Sequence, residues 1–90
     1  MTKAEEYAVE YFTAITSFMV DPYYASKAPE FRRNAVENGA LETSKGRSYI
    51  KHGDEFFEAN RDQFIDEIRR VSSWNREEEE YLRKEILGGK

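Results

Sequence analysis

The one histidine of this cysteine-free, 90-residue chain is His52, held between Lys51 and Gly53. A metal cannot be clasped by a histidine pair or by thiolates, and a Ser–His–Asp triad would have to join this one residue to arbitrary serines. Carboxylates are plentiful but their spacing is that of a surface. Asp62 with Asp66, and Asp66 with Arg70, stand four residues apart inside an apolar-periodic segment, as on a solvated helix face laced with ion pairs. The run Glu77-Glu78-Glu79-Glu80 lacks the Asp/Asn alternation and central glycine of a calcium loop. No catalytic residue, metal ligand or cofactor site is assigned, and the chain reads as a binding protein rather than an enzyme.

Two groups of residues have the chemistry of recognition. The first is Tyr23 and Tyr24 beside Pro22, together with Trp74 and the acidic run Glu77, Glu78, Glu79 and Glu80. Large rigid rings anchor partners with little loss of entropy, and an acidic surface can occupy a partner's basic groove. The second is Thr43-Ser44-Lys45-Gly46-Arg47-Ser48-Tyr49 with Lys51 behind it. A glycine that lets backbone N–H groups turn inward, hydroxyl donors and cations are the parts of an anion site. Ser44, Lys45, Arg47, Ser48, Tyr49 and Lys51, joined by Arg32 and Arg33, would then hold a phosphate-bearing nucleotide, although neither the Walker spacing nor the dinucleotide fingerprint is present.

The elements that must position these groups are helical. Ala4, Ala8, Tyr11, Ile15 and Phe18 recur at steps of four and three, and Thr2 with Glu5 forms a capping box, so a helix is predicted from Lys3 to Val20, stopped by Asp21-Pro22. A linker through Tyr23 to Ala28 leads to a short second helix, with Pro29 in its first turn, Phe31, Ala35 and Val36 on its apolar face, and Asn38-Gly39 at its end. Between Ala40 and Gly53 the periodicity weakens. A turn is predicted over 43–48, within a loop carrying helical turns, or else Leu41 pairs with Tyr49 and Ile50 as a short β-hairpin over 41–50. A third helix, capped by Asp54, is predicted from Glu55 to Ser72 on Phe57, Phe64, Ile68 and Val71. After a break at Ser73-Trp74-Asn75, Asn75 and Glu78 form a second capping box for a last helix that buries Tyr81, Leu82, Ile86 and Leu87 and ends at Gly88-Gly89.

The expected architecture is therefore all-α: one domain over residues 1–90, an irregular bundle of about four helices, two long and two short. Six Phe, six Tyr and one Trp must carry much of the core of so short a chain. A homo-oligomer would cover whatever apolar stripe the first and third helices leave exposed. The absence of cysteine, of a basic-apolar leader and of any apolar run near ~20 residues points to a cytoplasmic protein without a membrane segment. The net charge is −4, an acidic balance that disfavours nucleic acid as a partner, although residues 27–52 hold six Lys or Arg against three acids. The leading expectation is an inhibitor or regulator acting by protein–protein interaction, of the kind found among mobile-element or phage accessory proteins that block a basic, nucleic-acid-binding surface. The alternative is a protein that holds or sequesters a nucleotide on the basic 43–51 segment.

Overall fold

A computed structural model describes residues 1–71 and 74–88, and every regular element among them is helical. Helix α1 spans Lys3–Thr16 and opens with the expected capping box: Glu5 N–H donates to Thr2 Oγ1 at 3.1 Å while Thr2 N–H donates to Glu5 Oε1 at 2.9 Å. Its stripe is the centre of the core, with Ala4, Ala8, Tyr11, Ala14, Ile15 and Phe18 all buried. These side chains are covered within the chain, while Met19 and Val71, at the ends of the first and third predicted helices, are exposed. The helix stops before Val20, because the Thr16 and Ser17 hydroxyls donate back to the carbonyls of Phe12 and Thr13 and the chain turns through Met19 and Val20.

The predicted linker is itself one turn of helix, α2 (Pro22–Ala25). Asp21 accepts from Tyr24 N–H at 3.1 Å, and Pro22 occupies the first turn, where its missing N–H is harmless. Helix α3 (Ala28–Glu37) follows with Pro29 in its first turn, and it ends at Asn38 and at Gly39, whose φ of 91° is the left-handed conformation expected there.

The middle of the chain departs from expectation. No strand occurs among the described residues, so the 41–50 hairpin is not formed; Ala40–Glu42 is a 3₁₀ turn and Ser44–Ala59 is a continuous helix, α4. Thr43, expected to begin a turn, is the N-cap, accepting from Gly46 N–H at 3.0 Å. Gly46, Ile50, Gly53 and Phe57 form the buried face, and both glycines are needed for close approach. A Cβ on Gly46 would collide with the Ala40 carbonyl oxygen, and one on Gly53 would stand 2.5 Å from Tyr11 Cε2. Asp54 is accordingly not a cap but lies in the interior of α4.

The long third helix is divided instead at Asn60, which caps α4 with its backbone N–H and side chain on the Phe56 carbonyl; α5 then runs Arg61–Val71. Phe57 and Phe64 still meet edge-on at 5.4 Å across the bend. Ser72, Ser73 and Gly89 lie outside the described residues. Helix α6 (Arg76–Leu82) starts on the Asn75 side chain, which accepts from Glu78 N–H at 2.9 Å, the one half of the second capping box that is made among the described residues. It continues into a π turn, Arg83–Leu87, that buries Ile86 as α6 buries Leu82. The packing centre is α1 against α3 and α4, with α2, α5 and α6 around it. No described helix is long and apolar enough to cross a membrane.

Candidate functional site

Four of the residues singled out as partner anchors come together from opposite ends of the sequence. Tyr23, on α2, and Trp74, Glu77 and Glu78, at the start of α6, line one open cleft of about 440 Å³. Each is placed by a local cause. The Asp21 cap turns α2 so that Tyr23 projects outward, 65% exposed, while Tyr24 folds back and packs its ring on Phe31 at 5.8 Å. The Tyr24 hydroxyl donates to Glu10 Oε2 at 2.9 Å; partial burial first, and that carboxylate second, push its pKa up to about 12. Trp74 is a staple and a wall at once. Its indole N–H donates to the Ser26 carbonyl at 3.0 Å and its ring meets Phe64 edge-on at 5.9 Å, yet the side chain remains only partly buried and faces the cleft.

The acidic run is divided by helix geometry. Glu77 and Glu78 face the cleft, whereas Glu79 turns away to Arg69 at 2.5 Å and Arg83 at 3.2 Å, and Glu80 is exposed without lining the cleft. The opposite wall comes from the residue before α3 and from α3 itself: Lys27, Glu30 and Arg33. Its two cations rest on rings, Lys27 Nζ 5.4 Å from the Tyr23 centroid and the Arg33 guanidinium 4.5 Å from that of Tyr81. Among the described residues, no ion pair joins these cations to Glu30, Glu77 or Glu78. The cleft therefore offers charge of both signs beside two aromatic side chains. Such a surface can seat a polar polypeptide segment, but it holds no histidine and no group of acids that could take a metal among the described residues.

The basic residues do not form the single patch that sequence alone allows. Ser44, Arg47, Ser48 and Lys51 are exposed along one face of α4, Lys45 is exposed to one side of it, and Tyr49 turns to Phe12 in an edge contact at 5.6 Å. Arg33 belongs to the cleft. Arg32 is buried, and its guanidinium grips Asp54 with two bonds, Nε to Oδ1 at 2.9 Å and Nη2 to Oδ2 at 2.8 Å. The Tyr11 hydroxyl donates to Asp54 Oδ1 at 2.6 Å, and Arg32 Nη1 donates to the Tyr81 hydroxyl at 3.3 Å. Burial, and then the Asp54 charge, hold the Tyr11 phenol well above its ordinary pKa; the bonds and charge of Asp54 raise that of Arg32 against its burial. This network ties α1, α3, α4 and α6 together. Its sequence signal is the position of Arg32, four residues after Ala28 and three before Ala35, on the buried face of α3. No protein-family model, no curated protein and no solved structure matches the chain.

Proposed function

We propose that this chain is a small non-enzymatic binding protein, an inhibitor or regulator, that docks a partner protein on the Tyr23–Trp74 cleft and the acidic first turn of α6. The observation that carries this reading is the convergence of Tyr23 with Trp74, Glu77 and Glu78 in one cleft, although about fifty positions separate them in the sequence. An exposed tyrosine and a half-buried tryptophan supply anchor area, and carboxylates with no cationic partner among the described residues supply steering and register. The chain's net charge of −4 favours a partner with a basic surface, through long-range attraction as well as contact.

The test begins with affinity capture of the partner and continues with purified components. Tyr23→Ala, and Glu77→Lys combined with Glu78→Lys, alter cleft side chains that make no hydrogen bond or ion pair among the described residues, so circular dichroism should show the parent's helix content, with the charge reversal costing at most about 2 kcal/mol at the positive end of α6. Each should weaken binding roughly tenfold or more, and the charge reversal should also slow association and flatten its salt dependence. Unchanged affinity in both variants would overturn the reading. Trp74→Ala is a poorer probe, since it also removes the bond to Ser26 and the contact with Phe64.

A further inference from the structure

A second hollow, sharing no residue with the cleft, opens between α3, the 3₁₀ turn, α4 and the π turn, with a volume of about 360 Å³. That is within the range of about 300–1,000 Å³ typical of small-molecule sites. Its apolar surface is Ile50 and Ile86, both buried, with Leu41 at the mouth, 44% exposed. On one side stand Arg47 and Lys51, one helical turn apart on α4, within a stretch, residues 44–53, that contains cations but no acid. Arg47 Nη1 donates to the Leu41 carbonyl at 3.3 Å, which holds the guanidinium over the mouth. Neither cation pairs with a carboxylate among the described residues. The inner wall is the Arg32–Asp54 pair, with the Asp54 side chain 23% exposed, and the carboxylates of Glu55 and Glu58 complete the lining.

We propose that this hollow binds a mononucleotide, with the phosphate on Arg47 and Lys51 and the base over Ile50, Ile86 and Leu41. The arrangement has the three parts such a ligand needs. Two unpaired cations at helical neighbour spacing meet a phosphate with charge-assisted bonds. An apolar floor takes a base, which need not be identified by its edge to gain from leaving water. Acceptors lie at the far side: the exposed edge of Asp54 and the Glu55 carboxylate face where ring N–H, exocyclic amine or ribose hydroxyl donors would sit. The Arg32–Asp54 pair is also suited to this place because it is rigid. Tyr11 and Tyr81 hold it from behind, so the acceptor is fixed before a ligand arrives. The Tyr23–Trp74 cleft is a poorer host for a phosphate, because both of its cations lie on aromatic rings, whereas Arg47 and Lys51 lie on none among the described residues.

The test is a thermal-shift series with the intact chain and AMP, GMP, CMP, UMP, 3′,5′-cyclic AMP, 3′,5′-cyclic GMP and inorganic phosphate, followed by amide NMR titration of the best probe. A ligand at a tenfold excess over its Kd should raise Tm by about 6–11 °C for a domain of this size. Amide shifts should centre on residues 41, 47, 50, 51 and 54. Arg47→Ala with Lys51→Ala should lower affinity roughly tenfold or more, and Leu41→Glu, which puts a carboxylate at the mouth, should do the same; neither touches the core. No shift with any nucleotide at millimolar concentration, a response to inorganic phosphate equal to that of the nucleotides, or binding kept in the double variant but lost on Tyr23→Ala would each overturn the proposal. Because the two sites share no residue, a failure here leaves the protein-binding reading standing, and the reverse holds.

Discussion

Removing Asp54 should unfold this protein more readily than removing any exposed charge. The Arg32 side chain is 9% exposed, and both of its strong bonds go to the Asp54 carboxylate, so Asp54→Ala leaves a guanidinium with the Tyr81 hydroxyl at 3.3 Å as its remaining hydrogen-bond partner. Breaking a buried ion pair from one side costs about 3–5 kcal/mol. The Asp54 side chain is 23% exposed, so water can reach the vacated space, which favours the lower end, about 3 kcal/mol. The Tyr11 hydroxyl, on a fully buried ring, loses its acceptor in the same change. Against a typical domain stability of about 5–15 kcal/mol that is a large fraction, equivalent to a Tm fall of about 12–24 °C. Asp54→Leu with Arg32→Met and Tyr11→Phe removes every member of the buried cluster except Tyr81 and leaves apolar groups of similar size. Such replacements are neutral to stabilising elsewhere by up to about 4 kcal/mol, so the triple variant should recover most of the loss. Urea denaturation followed by circular dichroism, arranged as a double-mutant cycle on Arg32 and Asp54, measures both. A single Asp54→Ala loss under about 1 kcal/mol, or a coupling energy under about 0.5 kcal/mol, would refute the buried-pair reasoning.

Two further outcomes follow from the same core. Gly53→Ala gains up to about 1 kcal/mol of helix propensity, but the new methyl meets the buried Tyr11 ring at 2.5 Å, an overpacking that costs about 1–3 kcal/mol. A net loss in chemical denaturation is expected, and a smaller loss from Gly53→Ala when it is made in a Tyr11→Leu background, where the ring is gone; a stabilised Gly53→Ala variant would contradict the close approach of α4 to α1. Alkaline pH should also destabilise the fold. Tyr24 is raised to about 12 and Tyr11 well above its ordinary value, so the folded chain binds these protons more tightly than the unfolded one. Their stabilisation is complete below the unfolded phenol pKa of about 10 and is lost as pH rises through the folded values. Phenolate absorbance and ellipticity should therefore change together above about pH 10; titration of all six tyrosines with the helical signal intact would contradict it.

Helix α1 and the ends of α3 were legible in the sequence because their signals are local: a hydroxyl and a carboxylate three apart, a proline, a glycine past a last turn. Helix α4 was not, and the reason lies in two of its four buried positions. Gly46, Ile50, Gly53 and Phe57 recur at steps of four, three and four, the same stripe that marks α1, but at two of the four the buried group is a hydrogen atom. The pattern of apolar side chains has a gap there, and intrinsic propensity marks a breaker, at about 1 kcal/mol for each glycine against alanine. Tertiary contact reverses both effects, since the Ala40 carbonyl and the Tyr11 ring occupy the space that side chains would need. The same displacement of the helix start hid Asp54. As a cap it would be spent on backbone N–H groups, whereas in the interior of α4 its carboxylate is free to meet Arg32.

The two candidate sites differ in legibility for a related reason. Tyr23, Trp74, Glu77 and Glu78 were found by residue type, because aromatics and acids beside helix breaks stay near a surface whatever the fold does. What type could not show is division of labour within a run: helix α6 sends Glu79 to Arg69 and Arg83 and leaves Glu77 and Glu78 on the cleft. The basic stretch is not a loop but one helical edge, Arg47 and Lys51, set over a floor drawn from Leu41, Ile50 and Ile86. A flexible loop could have turned all its cations toward one ligand. On a helix, residues three or four apart share a face, and of the cations at 45, 47 and 51 only Arg47 and Lys51 are so spaced, so these two can serve that hollow and Lys45 is left to solvent.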